Sequence, residues 1–122
     1  MNFKTFKNGY LLYLESHEEF FRELTKFCES NNIKNAKVSA IGAVNSVTFG
    51  FFNTQTKDYE ERSFRMPFEL TSLSGNVFMD NQERKIHVHA TVADKDFRSY
   101  GGHLFRAIVS KTVEICITEL TE

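Results

Sequence analysis

The sequence predicts an α+β fold: a largely antiparallel β-sheet with one main N-terminal helix. Helical periodicity is confined to a single early stretch opening at Ser16. Beyond it, apolar and polar residues alternate in segments divided by short turn-forming clusters, the pattern of hairpin-linked strands. With 122 residues, 41% hydrophobic and 25% charged, the chain has the size and make-up of one globular domain, taken as residues 1–122.

Tyr10–Glu15, rich in Leu and Tyr, reads as the first strand. Ser16 and Glu19 then have the spacing of a capping box, in which each side chain satisfies a free backbone N–H of the first helical turn. Phe20, Leu24, Phe27 and Cys28 fall on one helical face, with Glu18, Arg22, Lys26 and Glu29 largely outside it. His17 falls in the first turn, at the surface, and Asn31-Asn32 is the expected stop. Ala36–Asn53 alternates as a strand with a break near Gly42, and Val47, Phe49 and Phe51 share one face. Thr54–Arg65 is polar and charged, an exposed loop or edge, and the only proline, Pro67, follows it. Phe68–Ser74 is a strand ending at Ser74-Gly75-Asn76, continued after a turn or bulge by Val77–Met79. Asp80-Asn81-Gln82-Glu83 is a hairpin turn. Lys85–Ala93, a polar loop over Asp94–Tyr100, and a closing strand over Ala107–Leu120 complete the chain.

Fifteen basic residues oppose sixteen acidic ones, and the basic ones are scattered from Lys4 to Lys111 without a run. No basic tail or run of the kind that usually accompanies duplex DNA binding is visible in the sequence, although a folded or oligomeric surface can gather scattered charges. Cys28 and Cys116, without a CxxC spacing, read as buried free thiols in a reducing compartment. No apolar stretch has membrane-spanning length and the N-terminus lacks a signal-peptide core, so the cytoplasm is the expected location and no membrane is an expected partner. Phe is abundant, at 13 residues without any Trp, which points to a Phe-rich core or an aromatic binding face. Walker, dinucleotide-binding, GxSxG and CxxC signatures are absent.

Three of the four histidines lie close together, in His87-Val88-His89 and Gly101-Gly102-His103. On a strand, Ile86, Val88, Ala90 and Val92 form an apolar face, and His87, His89 and Thr91 form the other. Two imidazoles leaving one face two residues apart are within reach of a single ion. His103 is the natural third ligand, with Gly101-Gly102 expected to let a loop fold back over the strand. Three imidazoles plus water is a reactive zinc arrangement, though copper, iron and nickel also accept such ligands. The same cluster can also serve as a hydrogen-bonded polar group or a subunit-interface network. Glu69, Asp94 and Glu114 are the candidate carboxylates to accept the second ring N–H of a metal-bound imidazole.

Phe68-Glu69-Leu70-Thr71-Ser72-Leu73-Ser74-Gly75-Asn76-Val77, His87-Val88-His89-Ala90, Gly101-Gly102-His103-Leu104 and Thr112-Val113-Glu114, in that order, resemble the plants-and-prokaryotes-conserved (PPC) domain. Ala40-Ile41-Gly42-Ala43-Val44 is similar to its second strand region, and the likeness runs from Tyr10 to Leu120. The resemblance implies a PPC-like antiparallel sheet and a homotrimer. It also implies that His87, His89 and His103 occupy the family's histidine positions, which in stand-alone members are suited to a metal. A DNA-binding label travels with the family through plant members that carry an Arg-Gly-Arg-Pro AT-hook core, and no such core occurs here.

Three functions are therefore expected to compete. The first is a small homotrimer holding a divalent metal, zinc before others, and binding a small anion or small molecule. The second is a DNA-associated regulatory module. The third is a metal-dependent enzyme of unknown substrate.

Overall fold

Every residue from Met1 to Glu122 is described by the computed structural model. The order is β1 (Asn2–Phe6), β2 (Gly9–Glu15), α1 (Phe20–Ser30), β3 (Ala36–Asn53), β4 (Asp58–Phe64), β5 (Phe68–Asp80), β6 (Glu83–Ala93) and β7 (Ser99–Glu119). All strand pairs are antiparallel, in the order β1-β2-β7-β6-β5-β3-β4 with β7 also pairing β3. That extra pairing closes β3, β5, β6 and β7 into a ring, which removes the free edges of those four strands.

The length of β7 makes the closure work. Ser99–His103 pairs with β6, the following residues to Val109 pair with the second half of β3, and Thr112–Thr118 lies between β2 and the first half of β3. Twenty-six buried residues form one core, including Leu12, Leu14, Val38, Val88, Val92, Ile115 and Ile117. The helix adds Phe20, Leu24, Phe27 and Cys28 and packs against β7. Burying side chains of this size contributes about 1.5–3 kcal/mol each.

The helix begins later than the capping-box spacing suggests. Ser16 Oγ donates to the Ser110 carbonyl, and the His17 N–H donates to the Val109 carbonyl. These bonds hold Ser16 and His17 against β7, and His17 lies in a turn with a left-handed φ of 76° rather than in the first helical turn. Glu19 is the N-cap, its carboxylate accepting from the Phe21 and Arg22 N–H groups and also from Ala107 of β7. The stop at Asn31-Asn32 stands, with Asn31 as C-cap.

Other boundaries also move. β1 and β4 are strands, β4 at the sheet edge, and only a short turn remains from Thr54 to Lys57. β5 runs unbroken through Gly75, with its irregularity between Leu70 and Ser72 instead. The break near Gly42 is a register shift within one long strand. Asn81 and Gln82, both at positive φ, make the tight turn between β5 and β6. Val47 and Phe49 are buried as expected, but Phe51 on the same strand is 72% exposed. Cys28 is buried and Cys116 is exposed, so only one thiol belongs to the core. Phe20, Phe27, Phe49 and Phe68 are core residues, whereas Phe3, Phe6, Phe51, Phe52, Phe78, Phe97 and Phe105 are exposed. No helix is long and apolar enough to cross a membrane.

Candidate metal centre

Alternation along β6 sorts its side chains as the sequence indicates. Val88, Ala90 and Val92 are buried, while His87, His89 and Thr91 face outward. His103 reaches them by strand pairing. Gly101 and Gly102 are part of β7, with no loop between them and the histidine, and His103 is the register partner of His89. The glycines serve close approach rather than hinging. A Cβ at Gly101 would lie 2.6 Å from the Ala90 carbonyl oxygen, and one at Gly102 would lie 2.9 Å from that of Gly50. Side chains there would push β7 away from β6 and β3.

The three rings gather tightly. Centroids are 5.1 Å apart for His87–His89, 5.0 Å for His87–His103 and 5.3 Å for His89–His103. One nitrogen from each ring lies within 4.8 Å of the others. Metal–nitrogen bonds of about 2.0–2.1 Å in tetrahedral array put such nitrogens roughly 3.3 Å apart. Small side-chain rotations therefore suffice to bring them onto one ion. The donor set fits a borderline-soft divalent metal, and three ligands leave a coordination position open.

Electrostatics favour the neutral form of His103 that a metal needs. Partial burial holds the His103 imidazole below its ordinary value, and the nearby His87 and His89 push it further down. Beside the triad, Ser72, Ser74, His89, Thr91, Gly101 and Gly102 line a shallow hollow of about 350 Å³. On the other side stands an aromatic wall. Phe105 lies 4.4 Å from His103 between ring centroids and Tyr59 lies 4.8 Å away, with Tyr59 Oη 3.3 Å from His103 Nδ1.

The wall is the part that sequence reasoning misses. Phe105 could have been found, because it sits two residues beyond His103 on the same strand face. Tyr59 could not, since it belongs to β4, whose register against β3 has no local signature. Gly50 completes this side: it pairs with His103, and a Cβ there would strike the Phe105 and Tyr59 rings.

None of the three candidate carboxylates hydrogen-bonds to a histidine. Asp94 is 8% exposed and serves its own turn, accepting from the Asp96 and Arg98 N–H groups and the Tyr100 hydroxyl. Burial pushes its carboxyl up, but those hydrogen bonds and the Arg98 charge outweigh this and hold it below the usual value. Glu69 is exposed on β5 opposite Ala93, and Glu114 is exposed on β7 between Tyr13 and Ile41.

Comparison with known proteins agrees with this architecture. A crystal structure of a metal-containing protein from Archaeoglobus fulgidus is 37% identical, with 98% of this chain and 84% of that chain covered and a TM-score of 0.87. A Bacteroides thetaiotaomicron structure, described as that of a candidate DNA-binding protein, is 31% identical at a TM-score of 0.95, covering 99% of this chain and 85% of that one. The Bifunctional protein GlmU of Synechococcus sp. (strain JA-3-3Ab) is 31% identical over 117 residues, which are 93% of this chain but only 17% of that protein's length. Residues 1–121 match the Plants and Prokaryotes Conserved domain. This match over nearly the whole length makes the chain a member of the Plants and Prokaryotes Conserved (PCC, or PPC) domain family.

Proposed function

We propose that this PPC domain works as a homotrimer that holds a divalent metal, zinc first, on His87, His89 and His103. The open coordination position takes water or a small anion. The observation that carries this reading is the convergence of three imidazole nitrogens within 4.8 Å on an outward face. The metal-containing Archaeoglobus relative supports it. A metal on three neutral imidazoles keeps its full double charge, which attracts anions and acidifies bound water. Water activation of that kind also suits a metal-dependent enzyme.

Residues 1–122 act as one unit, and the two free cysteines suit a reducing, cytoplasmic setting. The homotrimer reading is supported by apolar side chains left on the outer surface, among them Ile41 at 56% exposure.

The deciding experiment is elemental analysis of protein purified without a nickel column, followed by zinc titration of chelator-treated protein. One equivalent per chain, lost in the triple His→Ala variant, is expected. Less than a small fraction of an equivalent, with no tight rebinding, overturns the metal reading. Native mass spectrometry tests the trimer, and a monomer there removes it. The Bacteroides relative's description favours a second reading, DNA association, whose test is argued below.

A further inference from the structure

We propose that Tyr59 selects the nitrogen through which His103 meets the metal. Its phenol oxygen engages Nδ1 and leaves Nε2 to face the ion. The proposal rests on the metal reading above, and it assigns a positioning role to a strand that contributes no ligand.

Three observations and one property of imidazole carry it. Tyr59 Oη lies 3.3 Å from Nδ1 of His103, so that nitrogen already has a partner. The two ring nitrogens of imidazole sit on different edges, and a partner on one directs the other elsewhere. The His103 ring is held from several sides: Tyr59 at 4.8 Å tilted by 55°, Phe105 at 4.4 Å, and His87 stacked at 5.0 Å. Finally, Gly50 lies beneath both aromatic rings, and a side chain at that position would collide with them.

The β3–β4 hairpin is built to bring Tyr59 there. Phe52 and Tyr59 are register partners with ring centroids 5.2 Å apart. Asn53 Oδ1 accepts the Gln55 and Thr56 N–H groups and so shapes the turn, while Asn53 Nδ2 donates to Glu60 Oε2 at 2.9 Å. A metal-bound imidazole commonly gives its second N–H to a carboxylate, carbonyl or water. Here a phenol occupies that place. It orients the ring and fixes the proton without adding a negative charge. No carboxylate then offsets the metal's double charge through hydrogen bonds to these rings, which favours an anionic exogenous ligand.

Nitrogen-15 NMR of the histidine rings tests the assignment. Wild-type protein is expected to show one His103 tautomer without metal. On zinc addition, Nε2 should shift as the coordinated atom while Nδ1 stays protonated. Tyr59→Phe keeps the ring and removes only the hydroxyl. It is expected to leave the melting temperature of the metal-free protein unchanged, mix the His103 tautomers and weaken zinc binding by about 10-fold in chelator competition. Coordination through Nδ1 in the wild type, or a Tyr59→Phe protein with wild-type tautomer and affinity, overturns the proposal alone. Failure of the wild type to take up zinc overturns the metal reading and this proposal together.

Discussion

His89 and His103 are register partners across β6 and β7, and their rings stand 5.3 Å apart. The site is thus written into a strand pair, and each histidine can be removed without disturbing a buried group. Losing one of three ligands should reduce zinc affinity by more than the roughly 10–100-fold that removal of an outer hydrogen-bond partner costs. Chelator competition on His89→Ala and His103→Ala measures this. Both variants should retain the wild-type circular dichroism spectrum. Zinc affinity within a few-fold of wild type in either variant excludes that ring as a ligand.

Acid should weaken the metal-free protein through His103. Burial, followed by the charges of His87 and His89, holds this ring below the ordinary imidazole value of about 6.5. Between the folded and unfolded values, the unfolded chain binds a proton that the folded chain refuses. The stability is therefore complete above about pH 6.5 and declines as the pH falls toward the folded value. Melting temperatures from about pH 7 down to about pH 5 should decrease in wild type and decrease less in His103→Gln. Identical slopes would count against the unfavourable protonation. Asp94, held low by its hydrogen bonds, adds a separate loss further into acid, as the pH drops through the usual carboxylate range and below.

How far the sequence speaks depends on whether a signal is local. The two faces of β6 were legible because Val88, Ala90 and Val92 are buried and His87, His89 and Thr91 are not. β1 and most of β4 expose every residue, so neither shows the periodic burial that marks a strand. Gly101-Gly102 reads as a hinge from composition alone, yet strand register places it in a sheet too crowded for side chains. The Ser16–Glu19 spacing marks the neighbourhood of a helix start, but no capping box forms: Ser16 and His17 dock on β7 and Glu19 alone is the N-cap. Tyr59 depends on pairing between distant segments, which one chain read alone does not reveal.

That displaced cap has a measurable worth. Glu19 accepts three backbone N–H groups, two at the start of α1 and one on β7. Truncating it should cost about 0.5–2 kcal/mol, as for other N-caps, because all three donors lose their partner. Urea denaturation of Glu19→Ala tests the size. Ser16→Ala serves as the comparison and should lose no helix cap. A Glu19→Ala protein with wild-type stability would show that this carboxylate is not the cap.

Gly101 links the fold to the site. A methyl group there would sit 2.6 Å from the Ala90 carbonyl oxygen, a backbone atom that cannot rotate away. Gly101→Ala should force β6 and β7 apart two residues from the His89–His103 pair. A destabilisation of roughly 1–3 kcal/mol is expected, with weaker zinc binding alongside it. Denaturation and chelator competition on one sample report both effects. Unchanged stability would mean that the strand pair yields easily at this point.

DNA association predicts a different signature. Affinity for a duplex comes largely from cations that displace counterions, and it falls steeply with salt. This chain carries a net charge of −1, and two of its cations are paired with neighbouring carboxylates. Arg98 pairs with Asp96 at 2.9 Å, Lys85 pairs with Glu83 at 3.2 Å, and Arg62 on β4 is preceded by Glu60 and Glu61. A trimer would triplicate a chain without net positive charge, and avidity multiplies only an affinity that each copy already has. Fluorescence anisotropy with a labelled duplex should therefore show binding no tighter than the non-specific range, Kd of roughly 10⁻⁴–10⁻⁶ M at physiological salt. Binding well below that range, with a steep salt dependence, would show that folding or assembly gathers the scattered Lys and Arg side chains into a continuous basic face and would make DNA the ligand to pursue.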